Sequence, residues 1–400
     1  MAGFTSMDDL LSEITANGKF FRSDWNKNML PTTAAVAGEW SFLARGAGNP
    51  GADALFNTGT NLTFQPVSDT TTNASNIQHN GNVYPDYKHI LNVSAFSAAA
   101  TTMPAVLMLV DLLGFYRVTS TTTTTAQSMT NTLSAFSTFT ADASTDVLTS
   151  TGSLGFINLF PYTPVQLTTT TTLPGGLATA TDYYVIRGSD TTCKLATSYA
   201  NAVAGTAINI TDAGTGTHTM NTLLPRYTSG AGVQSFWWAN NATPLGAATP
   251  SLSNSSYTNA AQTTARTTPT VLPIGKTAAA NGLVLYSGAG AGKYGPFMPL
   301  QAGDTGTAKI DQITISVSYV SGEFSIGMCK PLLTLPLTTL GVAGERDMVN
   351  QIPSLPRIYD GAALYRLIRL YQSISLHSRS VNYDYNPPRW FGNSNFVCFA

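Results

Sequence analysis

The chain has 400 residues, enough for two or three domains, and its hydrophobic content of 43% is sufficient for a buried core. Charged residues make up only 10%, against roughly 25% in ordinary soluble proteins, and the formal net charge is −1. This balance gives no electrostatic basis for binding nucleic acid or an anionic membrane, and a surface poor in charge favours association with other chains. The abundant Thr, Gly and Asn residues indicate an all-β protein with many turns.

The cysteines and the apolar runs exclude several further classes. Cys193, Cys329 and Cys398 are far apart and form no CxxC pair, so neither a disulfide framework nor a zinc site is predicted. The N-terminal sequence is acidic where a signal peptide would be basic, and we expect synthesis in a cytosol. The longest apolar stretch, from Pro104 to Leu113, contains Asp111 and is too short to span a bilayer.

Residues 1–90 are predicted to form a short helix followed by an extended arm. Ser6 is a candidate N-cap, Leu10, Leu11 and Ile14 form an apolar stripe, and Gly18 can end the helix. The helix is too short to be stable alone, so we expect it to pack on the body or on a neighbouring subunit.

The arm contains aromatic residues that are scattered through Gly-, Asn- and Pro-rich sequence with little periodicity. One interpretation is an irregular region that covers its own sheet. The other is an arm whose aromatic side chains insert into pockets on other subunits, as buried anchors do at interfaces. The candidate interface anchors are Phe20, Phe21, Trp25, Trp40 and Phe42.

Residues 91–129 and 223–400 are predicted to form one discontinuous body of β-sandwich or jelly-roll type. The run at 104–113 fits a buried strand or a helix by periodicity, and its β-like surroundings favour a strand. Residues 362–376 fit either a strand or an amphipathic helix, and Gly344–Asn350 is a candidate short helix.

Further strands of the body are predicted from apolar runs and from alternation. Short strands are expected at Val233–Ala239, at Gly282–Tyr286 and at the C-terminus from Phe396. The alternating run Gln312–Val320, the turn Ser321-Gly322 and the run Glu323–Met328 together predict a β-hairpin.

Residues 130–222 read as a module inserted into the body. The sequence Asn-Thr-Leu occurs at both of its edges, at Asn131–Leu133 and at Asn221–Leu223. A site that accepts a whole domain is normally an exposed loop. Short strands inside the module, separated at regular intervals by turns, predict a small Ig-like β-sandwich. Those strands are Val165–Thr171, Tyr183–Gly188, Cys193–Ser198, Ala207–Ile210 and Thr215–Met220.

The module sequence resembles a mobile repeat of tailed-bacteriophage virion proteins. The resemblance rests on Leu173–Leu177, Tyr183–Val185, Lys194–Ala196 and Gly214–His218. The body is similar to a phage family through MDDLLSEITANGKFFRSDWNKN, LMLVDLLGFYRV, LPRYTSGAGV, KYGPFMPLQAGD and CKPLLTLPLTTLGVAGERDMVNQIPSLPR. The resemblance implies a structural protein of the virion, with a module that faces outward and aids contact with the host surface.

Motifs that would indicate chemistry are incomplete. The glycine-rich stretch Ser287–Gly295 imitates a phosphate loop, but Tyr294 stands where a Ser or Thr is needed and no helix clearly follows. His79, His89, His218 and His377 have no ligand spacing, and no nucleophile motif occurs. The charged run Gly344–Asp347 fits a solvated turn or an ion pair at a subunit interface. We therefore expect no enzyme activity, no cofactor and no metal.

The sequence thus predicts a structural component of a tailed-phage particle, assembled in the host cytoplasm and forming a trimer or larger. A cement or decoration protein of the capsid is preferred, with the major capsid protein and copies of itself as partners. The alternatives are the major capsid protein, then a tail or fibre component. A glycan-binding adhesive module is a further alternative, with Trp237, Trp238 and Trp390 as stacking platforms.

Overall fold

The computed structural model describes residues 6–27, 40–69, 76–80, 83, 88–97, 104–119, 124–154, 162–240, 251–268, 272–273, 282–285, 296–316, 321–347, 355–370 and 396–399. These residues form an all-β fold, as the composition predicts. Within the same ranges, no helix is long and apolar enough to cross a membrane.

The centre of the body is a long antiparallel sheet. Its strands, in spatial order, are β15 (Gln234–Ala239), β20 (Phe324–Leu337), β7 (Ala105–Val118), β23 (Leu364–Leu370) and β3 (Trp40–Phe42), with β5 (Phe64–Pro66) also paired to β7. The prediction of a strand at 104–113 is confirmed, and the ambiguous run from 362 forms a strand as far as Leu370. Residues 371–376 lie outside the described part.

A short segment closes this sheet into a barrel. Backbone amides and carbonyls of residues 282–285 bond to Trp40 and Phe42 of β3 on one side. On the other side they bond to Trp237 and Ala239 of β15, at distances of 2.8–2.9 Å. Both edges of the sheet are thereby paired, which removes the unpaired backbone groups that an open edge presents.

Aromatic side chains from well-separated parts of the chain fill this barrel. The Phe42 ring lies 4.8–5.4 Å, centroid to centroid, from the rings of Phe56, Phe236, Trp238 and Tyr365. Gly327 is required at its position, because a Cβ there would lie 2.6 Å from the Trp238 ring. Edge-to-face ring pairs of this kind contribute about 0.5–1.5 kcal/mol each beyond area burial.

The aromatic arm therefore packs mainly on its own chain. Trp40 and Phe42, two of the predicted interface anchors, are buried in the barrel core and have no surface left for a pocket on another subunit. Trp25 is also buried, beneath the Arg366 guanidinium at 4.5 Å, and Phe21 is partly buried. Phe20 is 48% exposed, so it alone among the five retains a largely open side chain.

A second sheet covers one side of the barrel. Its strands are β1 (Phe21–Asp24), β24 (Phe396–Phe399), β6 (Lys88–Ala95) and β21 (Gly344–Asp347), and β22 (Arg357–Ile358) also pairs with β6. Leu107 and Leu109 of β7 pack in the core beneath it, whereas Met108 and Val110 face the other core. The predicted C-terminal strand is confirmed, while the candidate helix at Gly344–Asn350 is wrong because residues 344–347 pair with β6.

A third sheet packs on the opposite side, and it corrects the hairpin prediction. It contains β8 (Gln127–Ser128), β16 (Ser251–Asn259), β17 (Arg266–Thr267), β18 (Leu272–Pro273) and β19 (Thr307–Ile315). β19 pairs with β16 and β8, whereas β20 pairs with β15 and β7, so the two strands of the expected hairpin lie in different sheets. Residues 317–320 of the expected alternation lie outside the described part.

The remaining short elements belong to the N-terminal region. The helix α1 (Met7–Thr15) begins as predicted, with the Asp9 amide donating to the Ser6 hydroxyl at 3.1 Å. Leu10 is its buried residue and packs in the core beneath the second sheet. Two 3-10 turns, at Leu43–Arg45 and Leu55–Asn57, and a small sheet of β2 (Asn26–Lys27) and β4 (Gly48–Asn49) complete this region.

The inserted module is a closed six-stranded antiparallel barrel rather than the predicted sandwich. Its strands are β9 (Ser134–Asp142), β10 (Val147–Ser150), β11 (Pro164–Thr169), β12 (Tyr183–Arg187), β13 (Thr192–Ala196) and β14 (His218–Thr222). The module has a hydrophobic core of its own. The expected strand at 207–210 is wrong, and a short helix α2 (Tyr199–Val203) precedes that stretch.

The two ends of the module lie side by side. Its first strand pairs with its last, with Ser134 opposite Thr222. Outside it, Met129 and Leu224 are buried in the core of the body. Thr130 and Asn131 also belong with the body, because Thr130 exchanges backbone bonds with Leu62 and Phe64 and Asn131 contacts Tyr116 and Ile310.

Deletion variants test this boundary. Removing Ser134–Thr222 and joining Leu133 to Leu223 through Asn-Gly should leave the body folded, because a two-residue turn spans paired antiparallel ends. The longer deletion Thr130–Thr222 should lower the free energy of unfolding by a further ~2–4 kcal/mol, since it removes the bonds of Thr130 and Asn131.

The measurement is urea unfolding of both variants, monitored by near-UV circular dichroism of the buried tryptophans. Aggregation or loss of the near-UV signal in the shorter deletion would show that the module is part of the body core.

Candidate functional site

A cluster of buried and partly buried charged side chains lies where the arm, the barrel and the segment after the module meet. We call it the polar junction and define it as Asp69, His79, Lys88, Asp111, Arg226 and Asp360. Asp111 and Arg226 are its centre. The guanidinium holds the carboxylate in two-point contact, with Nη2 2.7 Å from Oδ1 and Nε 2.9 Å from Oδ2. The two side chains are 1% and 2% exposed.

The remaining hydrogen-bonding groups of this ion pair reach backbone atoms of other segments. Arg226 also donates to the carbonyls of Val67 and Leu112, and Asp111 accepts the amide of Ala363 at 3.0 Å. A buried ion pair is stable only when its spare donors and acceptors are bonded in this way. The pair thus fixes three distant chain segments against β7.

The second half of the junction contains His79, Lys88 and two carboxylates. The Lys88 ammonium lies 3.0 Å from His79 Nδ1 and 3.2 Å from Asp360 Oδ1. On the far side of the imidazole, Nε2 lies 2.7 Å from the Ala362 carbonyl and 3.6 Å from Asp69 Oδ2. Because a carbonyl only accepts, Nε2 carries the proton and Nδ1 presents its lone pair to Lys88.

Burial shifts the proton affinities of these groups. Desolvation lowers the pKa of His79, and the nearby Lys88 charge lowers it further. Desolvation also lowers the pKa of Lys88, although Asp360 opposes this shift. Both shifts favour neutral side chains at the junction.

A separate set of buried cations secures the arm at the end of the barrel. Arg45 donates to the Asn240 carbonyl and to the Asn57 side chain, and Tyr365 donates to Asp53 at 2.7 Å. The Lys27 ammonium donates to the carbonyls of Gly46 and Gly51. Desolvation, followed by the Arg366 charge, lowers the pKa of Lys27 to about 7.

The residues that sequence reasoning weighed for chemistry do not come together. Cys193 and Cys329 are buried free thiols in different cores, and burial raises the pKa of each. His89 is buried, and desolvation with the Arg357 charge lowers its pKa to about 4. His218 bonds to Thr169 inside the module. No group of His, Cys, Asp and Glu within the described ranges is arranged to hold a metal ion.

The structure corrects two other sequence hypotheses, one about the tryptophans and one about a charged run. Trp237 and Trp238 are fully buried, so neither can be a stacking platform for a sugar. Trp390, His377 and the glycine-rich stretch at 287–295 lie outside the described part. The charged run Gly344–Asp347 is an exposed strand rather than a turn, and Arg346 donates to the Thr334 carbonyl.

An aromatic cluster on the module surface was missed by sequence reasoning. Tyr162 and Tyr184 each pack edge-on against Tyr199, with centroids 5.7 and 6.3 Å apart. All three side chains are partly exposed. The outward direction of Tyr184 follows from the alternation of its strand, since Tyr183 and Val185 are buried. Tyr162 lies in a turn before β11 and Tyr199 is the first residue of α2, and no spacing rule would have grouped them.

Comparison of the chain with protein-family models, curated proteins and solved structures found no match.

Two variants test the centre of the junction. Arg226→Leu should lower the free energy of unfolding by about 3–5 kcal/mol, because it leaves the Asp111 carboxylate buried without its counter-ion. Adding Asp111→Asn removes that charge, so the double variant should be more stable than Arg226→Leu alone.

Urea unfolding followed by tryptophan fluorescence measures both. The control is Lys19→Gln, which breaks the exposed Lys19–Glu13 pair and should produce no measurable change. An effect of Arg226→Leu as small as that of the control would contradict a central role for the buried pair.

Proposed function

We propose that the chain is a structural component of a tailed-phage particle, and within that class a cement or decoration protein of the capsid. Its partners would be the major capsid protein and further copies of itself, in the virion. The observation that carries the proposal is the way the module is inserted: a closed barrel with its own core, whose ends are adjacent, between flanks buried in the body.

This arrangement suits display of one domain by another. The body core is continuous on both sides of the insertion, since Met129 and Leu224 belong to the same cluster. The module can therefore vary or bind a partner without altering the packing of the body. The resemblance of its sequence to a repeat of phage virion proteins supports the same role.

The preference for a cement protein over the shell subunit rests on helix content. The two α-helices of the described ranges have nine and five residues. The major capsid proteins of tailed phages usually contain a long spine-like helix. A major capsid protein remains the first alternative, and a tail or fibre component the second.

The test is quantitative mass spectrometry of purified particles of the phage that encodes the chain. We expect a copy number close to that of the major shell subunit. In this proposal the body binds the shell and the module faces outward, so particles grown with the Ser134–Thr222 deletion should contain the same number of copies. A handful of copies per particle would exclude a cement or shell role.

A second candidate function is glycan binding by the module, favoured by the tyrosine cluster. Partly exposed aromatic rings beside polar side chains are suited to stacking on sugar rings. Here Gln166 and Asp182, joined by a 2.7 Å hydrogen bond, belong to the same part of the barrel as Tyr184, because Pro164 pairs with Tyr184.

A glycan array with the full chain tests this candidate. Tyr184→Ala should reduce any signal at least tenfold, whereas Val203→Ala, at another exposed apolar side chain of the module, should leave it unchanged. No binding by the unaltered chain, or equal loss in both variants, would rule out the tyrosine cluster as a glycan site.

A further inference from the structure

We propose that Lys88 and Asp360 of the polar junction condense to form an intramolecular amide (isopeptide) bond, with His79 carrying the proton. The inference is independent of the proposed function, since the bond either forms in the purified chain or does not. It rests on the placement of an amine, a carboxyl group and a proton carrier in one buried site.

The reacting groups are in contact and largely shielded from water. Lys88 Nζ lies 3.2 Å from Asp360 Oδ1, and the two side chains are 5% and 23% exposed. Lys88 is the first residue of β6, and Ile358 pairs with it directly, so the sheet register holds Asp360 close to the amine. Such positioning converts a slow bimolecular condensation into an effectively unimolecular one.

His79 is placed to move the proton. Its Nδ1 lone pair lies 3.0 Å from Lys88 Nζ, and its Nε2–H is directed to the Ala362 carbonyl. The Asp69 carboxylate, 3.6 Å from Nε2, stabilises the imidazolium that forms when Nδ1 accepts a proton. His79 is thus a catalytic residue of the proposed step, and Asp69 is a positioning residue.

The carboxyl group is also prepared for attack. The Val83 backbone amide lies 3.0 and 3.1 Å from the two oxygens of Asp360, where it can stabilise negative charge on the tetrahedral intermediate. Burial lowers the pKa of Lys88, which raises the share of the neutral amine that a nucleophile needs.

The atoms balance without an oxidant or a co-reactant. Transfer of one proton from the Lys88 ammonium to the Asp360 carboxylate gives a neutral amine and a neutral carboxylic acid. Nζ then attacks Cγ, and His79 takes the second proton from nitrogen. His79 returns this proton to the departing hydroxyl group. One C–N bond forms, one C–O bond breaks, and one water leaves.

The bond would add a covalent link between two parts of the body that strand pairing, an ion pair and packing already hold together. Lys88 begins the central strand of the covering sheet, and Asp360 lies in the turn that leads into β23 of the barrel. The loop closed by the bond includes the module. A crosslink across so long a loop restricts the unfolded chain strongly.

Mass spectrometry of the denatured full chain tests the proposal. The unaltered chain should be lighter than its sequence mass by one water, and a tryptic map should contain a branched peptide joining Lys88 to Asp360. Lys88→Arg, which keeps the positive charge, and Asp360→Ala should both have the full mass. His79→Gln should slow bond formation by roughly 100-fold, the scale of general acid–base catalysis.

Two controls separate this bond from other events. Asp360 precedes Gly361, so a succinimide at that peptide would also lose one water, but it would persist in Lys88→Arg and give no branched peptide. The Lys309–Asp311 pair, which is more exposed and 3.9 Å apart, should remain unlinked in the same digest. A full sequence mass for the unaltered chain, or a water loss that survives Lys88→Arg, overturns the proposal.

Discussion

The buried pair between Asp111 and Arg226 is the interaction on which the rest of the body depends. Asp111 lies in the middle of β7, one of the two longest strands of the barrel, and Arg226 lies just after the inserted module. A buried charge that loses its partner costs several kcal/mol. This cost fixes the segment that follows the module in the position where Arg226 pairs with Asp111. Bonds from the same two side chains to Val67, Leu112 and Ala363 then fix the arm and the approach to β23. One ion pair thereby sets the positions of segments that are far apart in sequence.

Closure of the barrel depends on equally distant segments. The strand β3 comes from the arm, β15 follows the module, and residues 282–285 complete the ring between them. None of these pieces is long enough to be stable alone, and each contributes an aromatic or apolar side chain to the shared core. The arm is therefore an integral part of the barrel. Its sequence lacks periodicity because its side chains make individual contacts in the core and do not form one face of a regular strand or helix.

The sequence predicted those features that local patterns determine. The strand at 104–113 and the capped helix at Met7–Thr15 follow from an apolar run and from capping. The hairpin prediction was wrong because a plausible turn at Ser321-Gly322 says nothing about which distant strand pairs more favourably with each run.

The polar junction was not predictable, since Lys88, Asp360 and His79 are brought together only by the pairing of β6 with β22 and by the turn before β23. Trp237 and Trp238 were misjudged because two adjacent aromatic residues on a strand suggest exposure of one, whereas both faces of β15 are covered.

The use of charge inside the body bears on how the chain meets its surroundings. The chain is poor in charged residues, yet several of them are buried: Lys27, Arg45, Asp53, Lys88, Asp111, Arg226, Glu323 and Arg366. These buried charges form contacts within the chain. Those described for Lys27, Arg45, Asp111 and Arg226 join one segment to another. With only 10% charged residues in the whole chain, the surface is poor in charge. Such a surface carries little electrostatic repulsion between neighbouring copies, which favours close packing in an assembly. A surface of this kind agrees with the proposal that the chain acts within a particle built from many proteins.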